Sequence, residues 1–191
     1  LGWTLLAIPE EQGGVGMPLV AVAGLVEELG RAAFPCPLLP TLAACYALRG
    51  CGAEGEAALA EIAEGHTATL AMTNAQGSWR PGDTPVVCED GKLSGTACFV
   101  QEVGKVNHAL VCAHSSAGLG LYWVDVNGPG ETIQWDSNVD LTRDQGRLVF
   151  DAAPAQQVSG NALALMDAAM PAIWTLYAAD MVGAGEWQLQ T

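Results

Sequence analysis

The chain has 191 residues, of which 50% are hydrophobic and 15% charged, with 21 acidic against 7 basic side chains and a formal net charge of −14. That length and apolar content give room for one large domain or two small ones around a sizeable core, and exclude general disorder. The acidic balance excludes nucleic-acid binding through a basic surface and disfavours docking on an anionic membrane, while few basic residues beside 23 glycines imply buried interfaces in an oligomer or a longer chain.

Residues 1–66 read as helical. Leu19, Val22, Leu25, Val26 and Leu29 recur at helical spacing, with Pro18 suited to a first helical position, Gly30 to a C-terminal stop, and Glu27 and Glu28 to the solvent side. Pro35, Pro37 and Pro40 form a stiff break, a second helix fits Pro40 to about Arg49, and a third, acidic one fits Glu54 to Glu64. Gly13-Gly14-Val15-Gly16 has no strand before it and reads as a turn rather than a phosphate cradle.

From Thr67 the pattern changes to short strand-like runs: Thr67–Thr73, Pro85–Cys88, Lys92–Val100, Ala109–Ala113, Leu119–Val126, Thr132–Trp135 and Arg147–Phe150. Turn residues separate them, including a hairpin-type Asp90-Gly91. This predicts an antiparallel sandwich or barrel over 67–158. From Ser159 a helical stripe returns (Leu163, Met166, Met170, Ile173, Tyr177, Met181, Ala184), with Pro171 inside it predicting a kink or break. The stripe is still running at Thr191, so the expectation is a truncated chain: α+β and multi-domain, with an N-terminal helical segment (1–66), a middle β-domain (67–158) and the start of a helical bundle (159–191).

No stretch has the basic start, apolar run and small-residue cleavage site of a signal peptide, and no run of about 18 apolar residues spans a bilayer. The six cysteines (Cys36, Cys45, Cys51, Cys88, Cys98, Cys112) form no CxxC pair and read as free buried thiols in a cytoplasmic protein. No metal site is expected. His66, His108 and His114 fall in no familiar ligand spacing, His108 and His114 read as strand-end residues, and Glu54, Glu56, Glu61 and Glu64 read as a solvated helix face.

In their order, several stretches resemble the acyl-CoA dehydrogenase family. Gly2-Trp3 with Ile8-Pro9-Glu10-Glu11-Gln12-Gly13-Gly14-Val15-Gly16 is similar to its "LGW…PEEyGGlG" segment, and Leu25-Val26-Glu27-Glu28-Leu29-Gly30-Arg31-Ala32 to its "vlEELGRa" helix. Leu70-Ala71-Met72-Thr73 resembles "lalTE", Leu93-Ser94-Gly95-Thr96 resembles "LsGtK", and Asp140-Leu141-Thr142-Arg143 and Ala178-Ala179-Asp180-Met181-Val182-Gly183-Ala184 have counterparts too. The resemblance covers nearly the whole chain. It implies a helical, β and four-helix-bundle architecture, FAD as cofactor, an acyl-CoA substrate oxidised between Cα and Cβ, and a homo- or hetero-oligomer, dimer or tetramer, with no nucleic-acid or membrane partner. A carboxylate base and the flavin would together remove a proton and a hydride.

By the same resemblance, Leu70, Met72, Thr73, Phe99, Val100 and Gln101 would contact the flavin, and Ser78 the substrate or pyrophosphate. Several positions depart from the family pattern: Asn74 for Glu, Trp79 for Asp, Ala97 for Lys, Phe99 for Trp and Gln101 for a hydroxyl residue. No catalytic residue is assigned, since the family's alternative base position falls near Ile173 and Asp167 and Asp180 are merely the nearest acids. The departures resemble divergent steroid-side-chain members that work as mixed assemblies. They leave two readings, an acyl-CoA dehydrogenase or a non-catalytic structural partner of one, and this chain alone is expected to be inactive.

Overall fold

The computed structural model describes residues 2–140 and 142–190. Short 3-10 turns at Trp3–Ala7 and Glu10–Gln12 lead into α1 (Leu19–Arg31), α2 (Leu38–Leu48) and α3 (Gly52–Ala63). Strands follow: β1 (Ala68–Ala71), β2 (Val87–Glu89), β3 (Lys92–Gln101), β4 (His108–Ser115), β5 (Gly118–Asp125), β6 (Glu131–Trp135), β7 (Gln145–Pro154) and β8 (Gln156–Ser159). The chain closes on the long α4 (Ala162–Gln190). Helices, strands and helix come in the expected order.

Periodicity explains α1, whose Val22, Val26 and Leu29 are buried along one stripe. Gly30 is not the stop its position suggested. It lies in the helix's last turn, where a Cβ would sit 2.1 Å from the Asp180 carbonyl oxygen, and a Cβ on Gly183 would sit 1.8 Å from the Glu27 carbonyl oxygen. The two glycines let the backbones of α1 and α4 touch, which no side chain permits. Arg31 then reaches Glu186 at 2.6 Å across that seam. In α2 all eleven residues are buried, and Pro40 falls among the first four N–H positions, which have no intrahelical acceptor. The Thr41 hydroxyl accepts from the Ala68 N–H at 3.0 Å and lies 2.7 Å from the Pro37 carbonyl, fastening α2 to β1.

The sheet runs β6-β7-β3-β2-β4-β5-β8, with β1 pairing β4. It is antiparallel except that β1 and β2 each run parallel to β4. Parallel neighbours need a long connection to bring the chain back in the same direction, and β2–β3 supplies one between β1 and β4. Asp90 (φ 48) and Gly91 (φ 74) make the expected hairpin turn. β8 is additional, because Gln156-Gln157-Val158-Ser159 shows no apolar alternation; pairing with the edge of β5 creates it.

β4 and β5 serve two cores. Leu110, Cys112, Leu121 and Trp123 face the helices, while Ala109, Val111, Ala113, Tyr122 and Val124 face the interior of the β unit. That is why these strands read as continuous apolar runs. α4 passes through Pro171 without a break. By length and composition it could cross a membrane, although Asp167 and Asp180 interrupt its apolar run. One of its faces (Met166, Met170, Ile173, Leu176) is buried in the helical core and the other (Leu163, Trp174, Met181, Val182, Leu189) is exposed.

Candidate functional site

The residues assigned to a flavin converge where β1, β3 and α4 meet. The Thr69 hydroxyl donates to the Gln101 carbonyl at 2.9 Å, and the Cys98 N–H donates to the Thr73 carbonyl at 2.8 Å. Between Ala97 and Val100 the pairing of β3 with β7 slips by one residue. This bulge places Phe99 in the left-handed region (φ 54) and turns its ring outward, 42% exposed. A β-bulge re-aims a side chain in this way, and a left-handed aromatic persists only where the surrounding structure holds it.

Leu70, Met72, Thr73, Phe99 and Gln101 line one small cavity with Thr69, Trp79 and Tyr177. Val100 is not among them; its neighbours on β3 take that face, and it lies buried in the sheet's core. The cavity is about 10 Å³, because side chains of this chain fill it. The Tyr177 hydroxyl donates to Gln101 Oε1 at 2.7 Å, and the Trp79 ring meets the Tyr177 ring edge-on at 5.6 Å. Burial, with Asp180 nearby, pushes the Tyr177 phenol well above its ordinary pKa, so it stays a hydrogen-bond donor. Gln101 and Tyr177 thus satisfy one another. A flat tricyclic ring needs an open slot with free donors at its edge, and this cavity does not provide one. As closed by Trp79 and Tyr177, the cavity does not fit the flavin.

Ser78 stands apart from this cavity. Its hydroxyl donates to Asp83 Oδ2 at 2.6 Å, and the Asn74 side-chain oxygen Oδ1 accepts from the Gln76 and Ser78 N–H groups at 3.0 and 3.1 Å. Asn74, at the family's Glu position, therefore closes its own loop. Ser78 also borders a groove of about 430 Å³ with Asp167, Pro171 and Trp174 of α4. Asp180 is paired with Arg143 at 2.6 Å, which joins the two family-like stretches that bear them; Leu141, in the first of these, lies outside the described residues. Ile173 is fully buried. At the glycine turn, the Gly14 and Gly16 N–H groups donate to the Pro9 and Ile8 carbonyls, leaving neither for a phosphate. All six cysteines carry free thiols, five of them buried. One cluster escaped the sequence reading: Glu61, His66 and His108, whose ligand-type atoms come together. The five-residue step from Glu61 to His66 across a helix end was the only signal for it.

No protein-family model matches the chain. Over 65 residues, 34% of this chain and 20% of the relative, it is 46% identical to acyl-CoA dehydrogenase IpdE2 of Mycobacterium tuberculosis. Over its whole length it superposes on the solved Tcur3481-Tcur3483 steroid ACAD G363A variant with a TM-score of 0.81 and 32% identity, covering 99% of this chain and 53% of that one. The fold also matches the ChsE4-ChsE5 complex from Mycobacterium tuberculosis, with a TM-score of 0.77, 21% identity, and coverage of 99% and 53%. The fold is that of the acyl-CoA dehydrogenases. Within that class the chain is a divergent relative, and it spans about half the length of the solved chains it matches and a fifth of the curated relative.

Proposed function

We propose that this chain is a structural, non-catalytic subunit of a mixed acyl-CoA dehydrogenase-like assembly in the cytoplasm. The assembly's overall reaction is the FAD-dependent α,β-oxidation of an acyl-CoA thioester, with flavin and catalytic base held outside the residues described. The observation that carries this reading is the closed contact among Gln101, Tyr177 and Trp79 at the position the resemblance gives to the flavin. A steroid-type acyl group is favoured by the 32% likeness to a protein named a steroid ACAD, and a mixed assembly by the two-component names of both solved relatives. The exposed apolar face of α4 suits a subunit that covers part of its surface with a partner. Free thiols throughout suit a reducing compartment.

The test is a visible absorbance spectrum with intact mass, taken on the chain alone and on the complex recovered from its native host. The expected result is no flavin with the chain alone and flavin in a complex with a second acyl-CoA dehydrogenase-type chain. Stoichiometric flavin on the chain alone, or reduction of an electron acceptor by it with any acyl-CoA, overturns the reading.

A further inference from the structure

α3 ends at Ala63, and the turn after it folds back so that the His66 N–H donates to the Glu61 carbonyl at 3.1 Å. The Thr67 carbonyl accepts from the N–H groups of Asn107 and His108, both at 3.0 Å, which fixes the start of β4 beside that turn. Three ligand-type atoms converge as a result. His66 Nδ1 is 2.9 Å from His108 Nε2, His108 Nε2 is 3.1 Å from Glu61 Oε2, and His66 Nδ1 is 4.0 Å from Glu61 Oε2. The three atoms lie within 4.0 Å of one another, a span that ligands bound to one zinc ion at about 2.0 to 2.1 Å can bridge.

Trp123 holds two of these groups in place. Its ring stacks on His108 with centroids 4.7 Å apart, and its indole N–H donates to Glu61 Oε2 at 3.0 Å. Partners of this kind orient metal ligands. His108 Nε2 lies within hydrogen-bond distance of both His66 Nδ1 and Glu61 Oε2, so both of these ligand-type atoms face the same ring nitrogen. The His66 and Glu61 side chains are 46% and 40% exposed, which leaves the cluster open to an ion and to a completing water.

We propose that Glu61, His66 and His108 form a divalent transition-metal site that takes zinc, with solvent as the remaining ligand, bracing α3 and its following turn against β4. Two imidazoles and one carboxylate favour zinc over magnesium or calcium, which prefer oxygen-only sets.

The test titrates chelator-stripped protein with zinc chloride, followed by calorimetry, by competition with a chromogenic zinc indicator and by thermal melting. One equivalent is taken up, the melting temperature rises, and magnesium chloride does neither. His108→Ala and His66→Ala each weaken uptake at least tenfold and abolish the rise, and cobalt gives visible ligand-field bands in the wild type only. His66→Ala, at a half-exposed position, keeps the test decisive if His108→Ala fails to fold. No uptake by the wild type, or uptake by His66→Ala equal to the wild type's, overturns the proposal.

Discussion

Two places on this molecule bring polar side chains together from distant parts of the chain, and they differ in how well those groups satisfy each other. Between β3 and α4, the Tyr177 hydroxyl has Gln101 as its acceptor, Trp79 covers the ring, and almost no space remains. Between α3 and β4, His66, His108 and Glu61 bring three ligand-type atoms within 4.0 Å of one another, two of them on half-exposed side chains. Buried polar groups that complete one another consolidate a fold, whereas imidazole and carboxylate groups that converge near the surface can share an ion. The family resemblance pointed to the first place as a ligand site; the geometry adds the second.

The largest expected effect comes from unpacking the first place. Tyr177→Ala removes a ring packed against Trp79 and leaves a cavity, so it should cost about 3 kcal/mol in urea denaturation. A cost within about 0.5 kcal/mol, as for an ordinary surface position, would mean that the region is loosely packed, and the contrast would fail. On the other side, Trp123→Phe keeps the stack on His108 but removes the donor to Glu61, with an expected loss of about 1 to 2 kcal/mol. Tyr177→Phe isolates the hydrogen bond to Gln101 from the packing and should cost about 1 kcal/mol, leaving Gln101 to find water. If Tyr177→Phe costs as much as Tyr177→Ala, the hydroxyl rather than the ring closes the cavity.

Much of the fold was legible in the sequence, for reasons that also explain the misses. The stripe through Val22, Val26 and Leu29 and the Asp90-Gly91 turn act locally, and local signals are written in consecutive residues. Gly30 looked like a helix stop because a sequence does not show which helix will cross it; only Asp180, 150 residues on, reveals why a side chain is excluded there. Gln156–Ser159 became a strand only through its pairing with β5. At the candidate site, Leu70, Met72, Thr73, Phe99 and Gln101 line one cavity with Trp79 and Tyr177, which the resemblance did not name because α4 supplies Tyr177 from far along the chain. His66 and His108 lie 42 residues apart and meet only because the parallel pairing of β1 with β4 sets Ala68 beside His108.

A third group extends the comparison and carries the smallest effect. Glu131, at the start of β6, has one carboxylate oxygen buried without a partner. Burial first and the nearby Asp125 second push its pKa up to about 7. A carboxyl group with a raised folded-state pKa contributes stability that is fully present below its unfolded value, near 4.5, and is lost as the pH rises through about 7. Glu131→Gln removes the charge while keeping the shape. It should therefore melt higher than the wild type at pH 8, where the wild type must hold a desolvated carboxylate beside Asp125, and the advantage should shrink towards pH 5, where the wild-type carboxyl is already protonated. Melting curves of both proteins across that range read the sign directly. An equal offset at every pH would show that the substitution acts through shape alone, and that an unpartnered oxygen at this site does not register as an unmet charge.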